Sequence, residues 1–175
     1  MATAPPDLLL APGASGTVAG LRPMLGGLAS RGITAAGVAL PRGSAERALP
    51  AWRAALDGLD VRATAIGGQS FGGRVASLVA ADEPSLRAVV LLCFPLHPPG
   101  RPEKAAERAA HLERIACPVL FLSGESDPFA RLPLLREAVA RMPAAELVSY
   151  PGIGHGLGRV LDDALDHVAR FLRAG

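Results

Sequence analysis

The sequence predicts an α/β fold built on one mostly parallel, doubly wound sheet of six strands. Three observations carry that prediction. Apolar runs of strand length alternate with helical patterns along the whole chain, and regular β–α alternation means parallel strands joined by right-handed crossovers. Only 19% of the 175 residues are charged and half are apolar, which suits a sheet covered on both faces. The run 86–94 is apolar almost throughout, as a strand buried on both sides must be.

The elements follow in order. Residues 8–10 form a short strand stopped by Pro12 and Gly13. A helix is expected over 18–30, with Val18, Leu21, Leu25 and Leu28 on one face and Gly32 as its terminating glycine. Residues 33–40 read as the second strand. Ser44 is the expected N-cap of a helix whose apolar face is Leu49, Trp52, Leu56 and Leu59, with Pro50 in its first turn. Strand three spans 62–67 and a helix spans 71–82. After strand four comes a proline-rich loop, 95–101, then an Ala-rich helix over 103–115. Strand five (118–123), a helix (132–142), strand six (146–150) and a last helix (160–172) complete one expected domain, 1–175.

Bulk properties exclude several roles. Net charge is +2 and the arginines are scattered without a basic stripe, while aromatics make up 4%; nucleic-acid binding has no support. Mean hydropathy is +0.30, yet no stretch approaches the ~18 apolar residues of a membrane span. The opening seven residues carry neither a cationic region nor an apolar core, so a cytoplasmic location is expected. Cys93 and Cys117 have no metal-ligand spacing and read as buried small hydrophobes. His111 and His167 fall on polar helix faces and are expected to be solvated.

The chemistry concentrates in three loops. Gly68-Gln69-Ser70-Phe71-Gly72 matches G-x-S-x-G between a predicted strand and a predicted helix, the setting of a nucleophile elbow. The glycines suit a serine held in a strained turn, where flanking side chains would clash. An elbow serine needs a base, and the base an orienting acid, in the chain order Ser, Asp/Glu, His. Asp127 follows strand five, with Glu125 as rival acid, and His155 sits in a glycine-rich loop after strand six. Oxyanion donation falls to the backbone N–H of Phe71 and to the loop after strand one, with Ala14 as the best donor. In a sheet ordered 2-1-3-4-5-6, strands one and three are neighbours at the topological switch point, which brings these two loops together.

These residues resemble a small α/β-hydrolase of the testis-expressed-protein type, more distantly related to dienelactone hydrolases. The matching segments are 8–16, 67–74, 91–104 and 118–128 with the His155 loop, and Phe94-Pro95-Leu96-His97-Pro98-Pro99 is the most family-specific among them. The resemblance implies a minimal α/β-hydrolase fold without a cap domain, with Ser70, Asp127 and His155 as nucleophile, acid and base. It departs from the family at Pro12, where a histidine is usual, and in a short connection over 41–49.

A serine esterase-like hydrolase acting on small or exposed esters or thioesters, with no metal or organic cofactor, is the reading these residues favour. Phe94, Leu96 and His97 are expected either to line its substrate pocket or to form a rigid surface loop. Two other classes compete: a non-catalytic interaction module on the same fold, and a nucleotide or phosphate binder using the 12–16 loop. That loop lacks the Gly-Lys-Ser/Thr ending of a P-loop.

Overall fold

A computed structural model of the chain describes residues 5–175; part of the opening segment read above, residues 1–4, lies outside them. Six strands pair into one sheet, all parallel: β1 (Leu8–Ala11), β2 (Ala35–Gly37), β3 (Ala65–Gln69), β4 (Ala88–Leu92), β5 (Val119–Gly124) and β6 (Ala145–Tyr150). Their order is β2-β1-β3-β4-β5-β6, the order expected above for this fold, and the parallel pairing is what the β–α alternation predicts. Leu10 pairs with Gly37 on one side and Gly67 on the other, so the order reverses at β1. The loops that leave β1 and β3 therefore open a crevice at the carboxyl edge of the sheet.

Side chains along each strand alternate between two cores, as period-2 geometry requires. Leu9, Ile66, Val89, Leu91 and Phe121 point to the face covered by α2 (Ala45–Leu56), α3 (Phe71–Asp82), α4 (Ala105–Ala109) and α5 (Leu132–Ala140). Leu8, Leu10, Val90, Leu120 and Leu122 point to the face covered by α1 (Arg22–Ala29) and α6 (Leu161–Ala174). β1, β4 and β5 are buried at every residue. Both cysteines are free and buried. No described helix is long and apolar enough to cross a membrane.

Three local expectations are corrected. The helix expected over 18–30 is split: Val18–Leu21 is a 3-10 turn capped by Thr17, and α1 starts at Arg22. Pro23 explains the break, since it lacks an N–H and fits only a helix's first turn. Pro50 lies in the second turn of α2, not the first. Ser44 caps that helix through the Arg47 N–H at 3.4 Å, and the acceptor Pro50 leaves without a donor, the Glu46 carbonyl, belongs to an exposed residue. The helix expected over 103–115 is two 3-10 turns, Pro102–Lys104 and Leu112–Arg114, around a five-residue α4.

That last break buries His111, which the sequence reading placed in solvent. Its Nε2 lies 2.7 Å from Ser77 Oγ, which is also 2.7 Å from the Arg74 carbonyl. Burial, then the nearby Arg74 and Arg114 guanidinium groups, push its pKa down from 6.5 to about 4, against a weaker upward pull from Asp82. His167, by contrast, is half-exposed beside Arg170.

The His111 environment gives a pH dependence. Its folded pKa is depressed, so the unfolded chain binds the proton more readily below pH 6.5. The neutral imidazole's contribution is complete above that pH and is lost as pH falls toward 4, by on the order of 3 kcal/mol. In His111→Leu, Ser77 keeps the Arg74 carbonyl as acceptor. Urea unfolding at pH 7 and pH 4.5 should show a smaller acid loss in that variant than in the parent; equal losses would rule His111 out as the source.

Candidate active site

β3 ends at Gln69 and α3 begins at Phe71, so one residue, Ser70, turns the chain from strand to helix. It does so at φ +49°, ψ −116°, a region that side chains avoid at a cost of roughly 1–3 kcal/mol. The turn is held from both ends. Ser70 N–H donates to the Leu92 carbonyl at 2.8 Å, and its own carbonyl accepts from Arg74 N–H at 3.0 Å. A Cβ on Gly68 would come within 2.7 Å of the Ala11 carbonyl oxygen, and one on Gly72 within 2.4 Å. The elbow packs backbone to backbone against the end of β1, which is the physical reason for glycine at both positions.

His155 and Asp127 arrive from the ends of β6 and β5. His155 Nε2 stands 2.7 Å from Ser70 Oγ and its Nδ1 stands 2.7 Å from Asp127 Oδ2. A carboxylate only accepts, so Nδ1 carries the proton and Nε2 faces the serine hydroxyl as an acceptor. Asp127 has no exposed side-chain surface, and its other oxygen accepts from Phe129 N–H at 2.8 Å. The Phe129 ring lies against His155, with centroids 4.3 Å apart. Glu125 points elsewhere and accepts from Ser149 Oγ at 2.8 Å. The geometry thus joins Asp127, not Glu125, to the histidine. Beneath the His155 loop sits Gly124: a Cβ there would come within 2.2 Å of the Ile153 carbonyl oxygen and 2.4 Å of that of Gly154.

The loop after β1 runs past the serine. A Cβ on Gly13 would sit 3.7 Å from Ser70 Cβ, and Gly16 N–H turns the loop by donating to the Gly13 carbonyl at 2.9 Å. Ala14 and Phe71 both line a cleft of about 400 Å³, with Thr17, Leu40 and Arg42 on its wall. A second, apolar hollow of about 160 Å³ lies between Pro23, Met24, Gln69, Leu92, Leu157 and Leu161. Phe94, Leu96 and His97, the expected pocket residues, line neither. Phe94 and Leu96 are fully buried, and Phe94 packs edge-on against Phe121 at 5.9 Å. Past Leu92 the chain turns inward, through Cys93 at φ +51°, instead of crossing the mouth of the crevice. The Cys93 thiol is pushed up to about 12, first by burial and then by the Asp127 carboxylate, so it stays protonated. Among the described residues no group of three or more His, Cys, Asp or Glu side chains is placed to hold a metal.

A family model described as an alpha/beta hydrolase domain matches residues 35–162. The chain belongs to the α/β-hydrolase family. Solved structures agree on the fold. A monoacylglycerol lipase from Paleococcus ferrophilus superposes with a TM-score of 0.84 at 14% identity, covering 97% of this chain and 95% of that one. Thermogutta terrifontis esterase 2, phosphonylated by cyclosarin, gives 0.77 at 19% identity over 95% and 81%. TT1662 from Thermus thermophilus gives 0.75 at 21% identity over 98% and 91%.

The loop positions of Ser70, Asp127 and His155 in the sequence point to the residues that meet at the elbow, but not to the walls of the hollows. Leu40, Met24 and Leu157 line hollows because of how β2, α1 and the His155 loop pack. The one hint was Leu157, an apolar residue two positions after His155 in an otherwise glycine-rich loop.

Two substitutions test the elbow and its support. Ser70→Gly removes the side chain that makes the φ unfavourable and should stabilise the hydrolase by about 1 kcal/mol, raising Tm by ~2–4 °C; an unchanged or lower Tm would mean the backbone is not strained. Gly124→Ala should push the Ile153–Gly154 backbone outward, lowering stability by ~1–3 kcal/mol and breaking the Ser70–His155 hydrogen bond. A crystal structure of the variant with that bond intact would contradict the steric argument.

Proposed function

We propose that this α/β-hydrolase is a serine hydrolase of the carboxylesterase type, acting on small or exposed esters or thioesters through an acyl-enzyme. The observation that carries this reading is the unbroken hydrogen-bonded line from Ser70 through His155 to Asp127 at a strained strand-to-helix turn. In the proposed reaction Ser70 Oγ attacks the carbonyl carbon as His155 Nε2 takes its proton. Asp127 holds the Nδ1–H tautomer and offsets the imidazolium charge. The tetrahedral oxyanion is received by the backbone N–H groups of Phe71 and Ala14, neither of which has a hydrogen-bond acceptor among the described residues. The α3 N-terminus adds its partial positive charge at the same point. His155 then protonates the leaving group, and water, activated by the same histidine, releases the acid.

The cleft beside Ala14 and Phe71 supports the substrate class. It holds about 400 Å³, at the small end of ligand pockets, and its wall is mainly apolar. The solved neighbours named above, a monoacylglycerol lipase and a phosphonylated esterase, fit acyl transfer to a serine. We further propose a single cytoplasmic domain that uses no cofactor and has no nucleic-acid or membrane partner, and that is kin to the testis-expressed-protein hydrolases. Support for that kinship is the Phe94-Pro95-Leu96-His97-Pro98-Pro99 segment.

The test is labelling with a fluorophosphonate probe, alongside hydrolysis of p-nitrophenyl acetate. The parent protein should label, Ser70→Ala and His155→Ala should not, and Asp127→Asn should lose about 10³–10⁴-fold in kcat. A folded parent that does not label would overturn the hydrolase reading in favour of an interaction module.

A further inference from the structure

The segment that most marks this chain, Phe94-Pro95-Leu96-His97-Pro98-Pro99, touches neither hollow of the site, yet His97 is 1% exposed and fully engaged in hydrogen bonds. Its backbone N–H donates to the Phe129 carbonyl at 2.9 Å. Its ring Nδ1 lies 2.9 Å from the Pro98 carbonyl oxygen, which can only accept, so Nδ1 carries the proton. Nε2 is then an acceptor, and it receives Arg131 N–H at 3.0 Å. His97 thus grips the acid-bearing loop at residues 129 and 131.

Those grips bear directly on the reacting line. Between them, Ala130 N–H donates to the Asp127 backbone carbonyl at 3.2 Å, closing the loop on itself. Phe129 N–H holds Asp127 Oδ1, and the Phe129 ring lies against His155. The loop carries Pro128, which supplies no donor to the sheet, and Pro133 opens α5 just beyond it. Three other ties hold this loop: the β5 end, where Asp127 N–H reaches the Gly124 carbonyl at 3.3 Å and Ser126 N–H the Ile153 carbonyl at 2.9 Å, the Asp127–His155 pair itself, and the start of α5, where Leu135 N–H reaches the Arg131 carbonyl at 3.0 Å. Among the described residues, the other hydrogen bonds from 129–131 to the body of the fold go to His97.

We propose that His97 is a positioning residue: as an Nδ1–H imidazole it pins residues 129–131 so that Asp127 Oδ2 and the Phe129 ring meet His155 with Nε2 aimed at Ser70. The assignment rests on the serine-hydrolase reading above. It explains why a histidine, and not an apolar residue, sits in this buried strap. The position needs a group that accepts at its far ring nitrogen while donating at the near one. A displacement of ~1 Å at a reacting group costs ~100-fold in rate, so the strap's effect should appear in turnover and not in binding.

Two side chains separate the roles of the two ring nitrogens. Asparagine at 97 can donate toward Pro98 but is too short to accept from Arg131. Glutamine places an amide oxygen near the Nε2 position. With p-nitrophenyl acetate, His97→Asn should lower kcat about 30–100-fold with KM within twofold, and His97→Gln should restore kcat to within about fivefold of the parent. Phosphonylation rates should follow the same order. Parent-like kcat in His97→Asn, or equal losses in Asn and Gln, would overturn the proposal. A measurement on the unmodified protein guards against variants that do not fold. In the ¹⁵N spectrum of histidine-labelled protein, His97 should be the Nδ1–H tautomer, and finding Nε2–H would overturn the proposal outright. A parent protein inert to fluorophosphonate would sink the hydrolase reading instead. In that case the strap would still be judged by the tautomer and by whether the His155 Nδ1–H proton resonance persists in His97→Gln and is lost in His97→Asn.

Discussion

Beyond the last paired residues of β3, β4 and β5, one more backbone N–H on each reaches the neighbouring strand: Ser70 to Leu92, Cys93 to Leu122, Glu125 to Tyr150. This final row of the parallel ladder fixes the height and spacing of three loops at once. It stands the Ser70 turn above the sheet, bends the β4 exit inward, and sets the start of the loop that carries Asp127. The two described residues other than glycine with positive φ, Ser70 and Cys93, both lie in this row. Strain is tolerated there because each is clamped by ladder hydrogen bonds and by buried neighbours on both faces.

Close backbone approach completes the arrangement. The Gly68–Gly72 contact with the end of β1 brings the 12–16 loop beside Ser70, and the Gly124 contact with Ile153 and Gly154 seats the His155 loop on β5. Neither contact leaves room for a methyl group, so the distances between Ser70, His155 and Asp127 are set by main-chain packing. The side chains then need few rotamer choices: Asp127 is held at both oxygens and His155 is bracketed by Ser70, Asp127 and the Phe129 ring. Preorganisation of this kind is what acyl transfer requires, because donors already aligned need no reorganisation as charge develops.

Some of this was legible in the residues and some was not. The parallel sheet followed from the β–α alternation, and the meeting of Ser70, Asp127 and His155 from their loop positions at strand ends. The element boundaries were blurred where local chemistry competes: Pro23 splits one helix, and the 103–115 stretch divides into two 3-10 turns around α4 with His111 buried against Ser77. For Phe94, Leu96 and His97 the residues left a pocket wall and a rigid surface loop both open, and all three are buried away from the two hollows. The segment's prolines and apolar residues suit a rigid rim as well as a buried strap, and the turn at Cys93 that decides between them depends on long-range packing.

Periodicity, turn residues and the order of the three loops therefore determined the fold class and the chemical groups that converge, since these depend on local sequence and on the near-universal handedness of β–α–β units. Only the tertiary structure decided which residues wall the cleft, where the 94–97 segment lies, and that His97 braces the acid loop. Each of those depends on distances between segments far apart in the chain, and no local pattern encodes them.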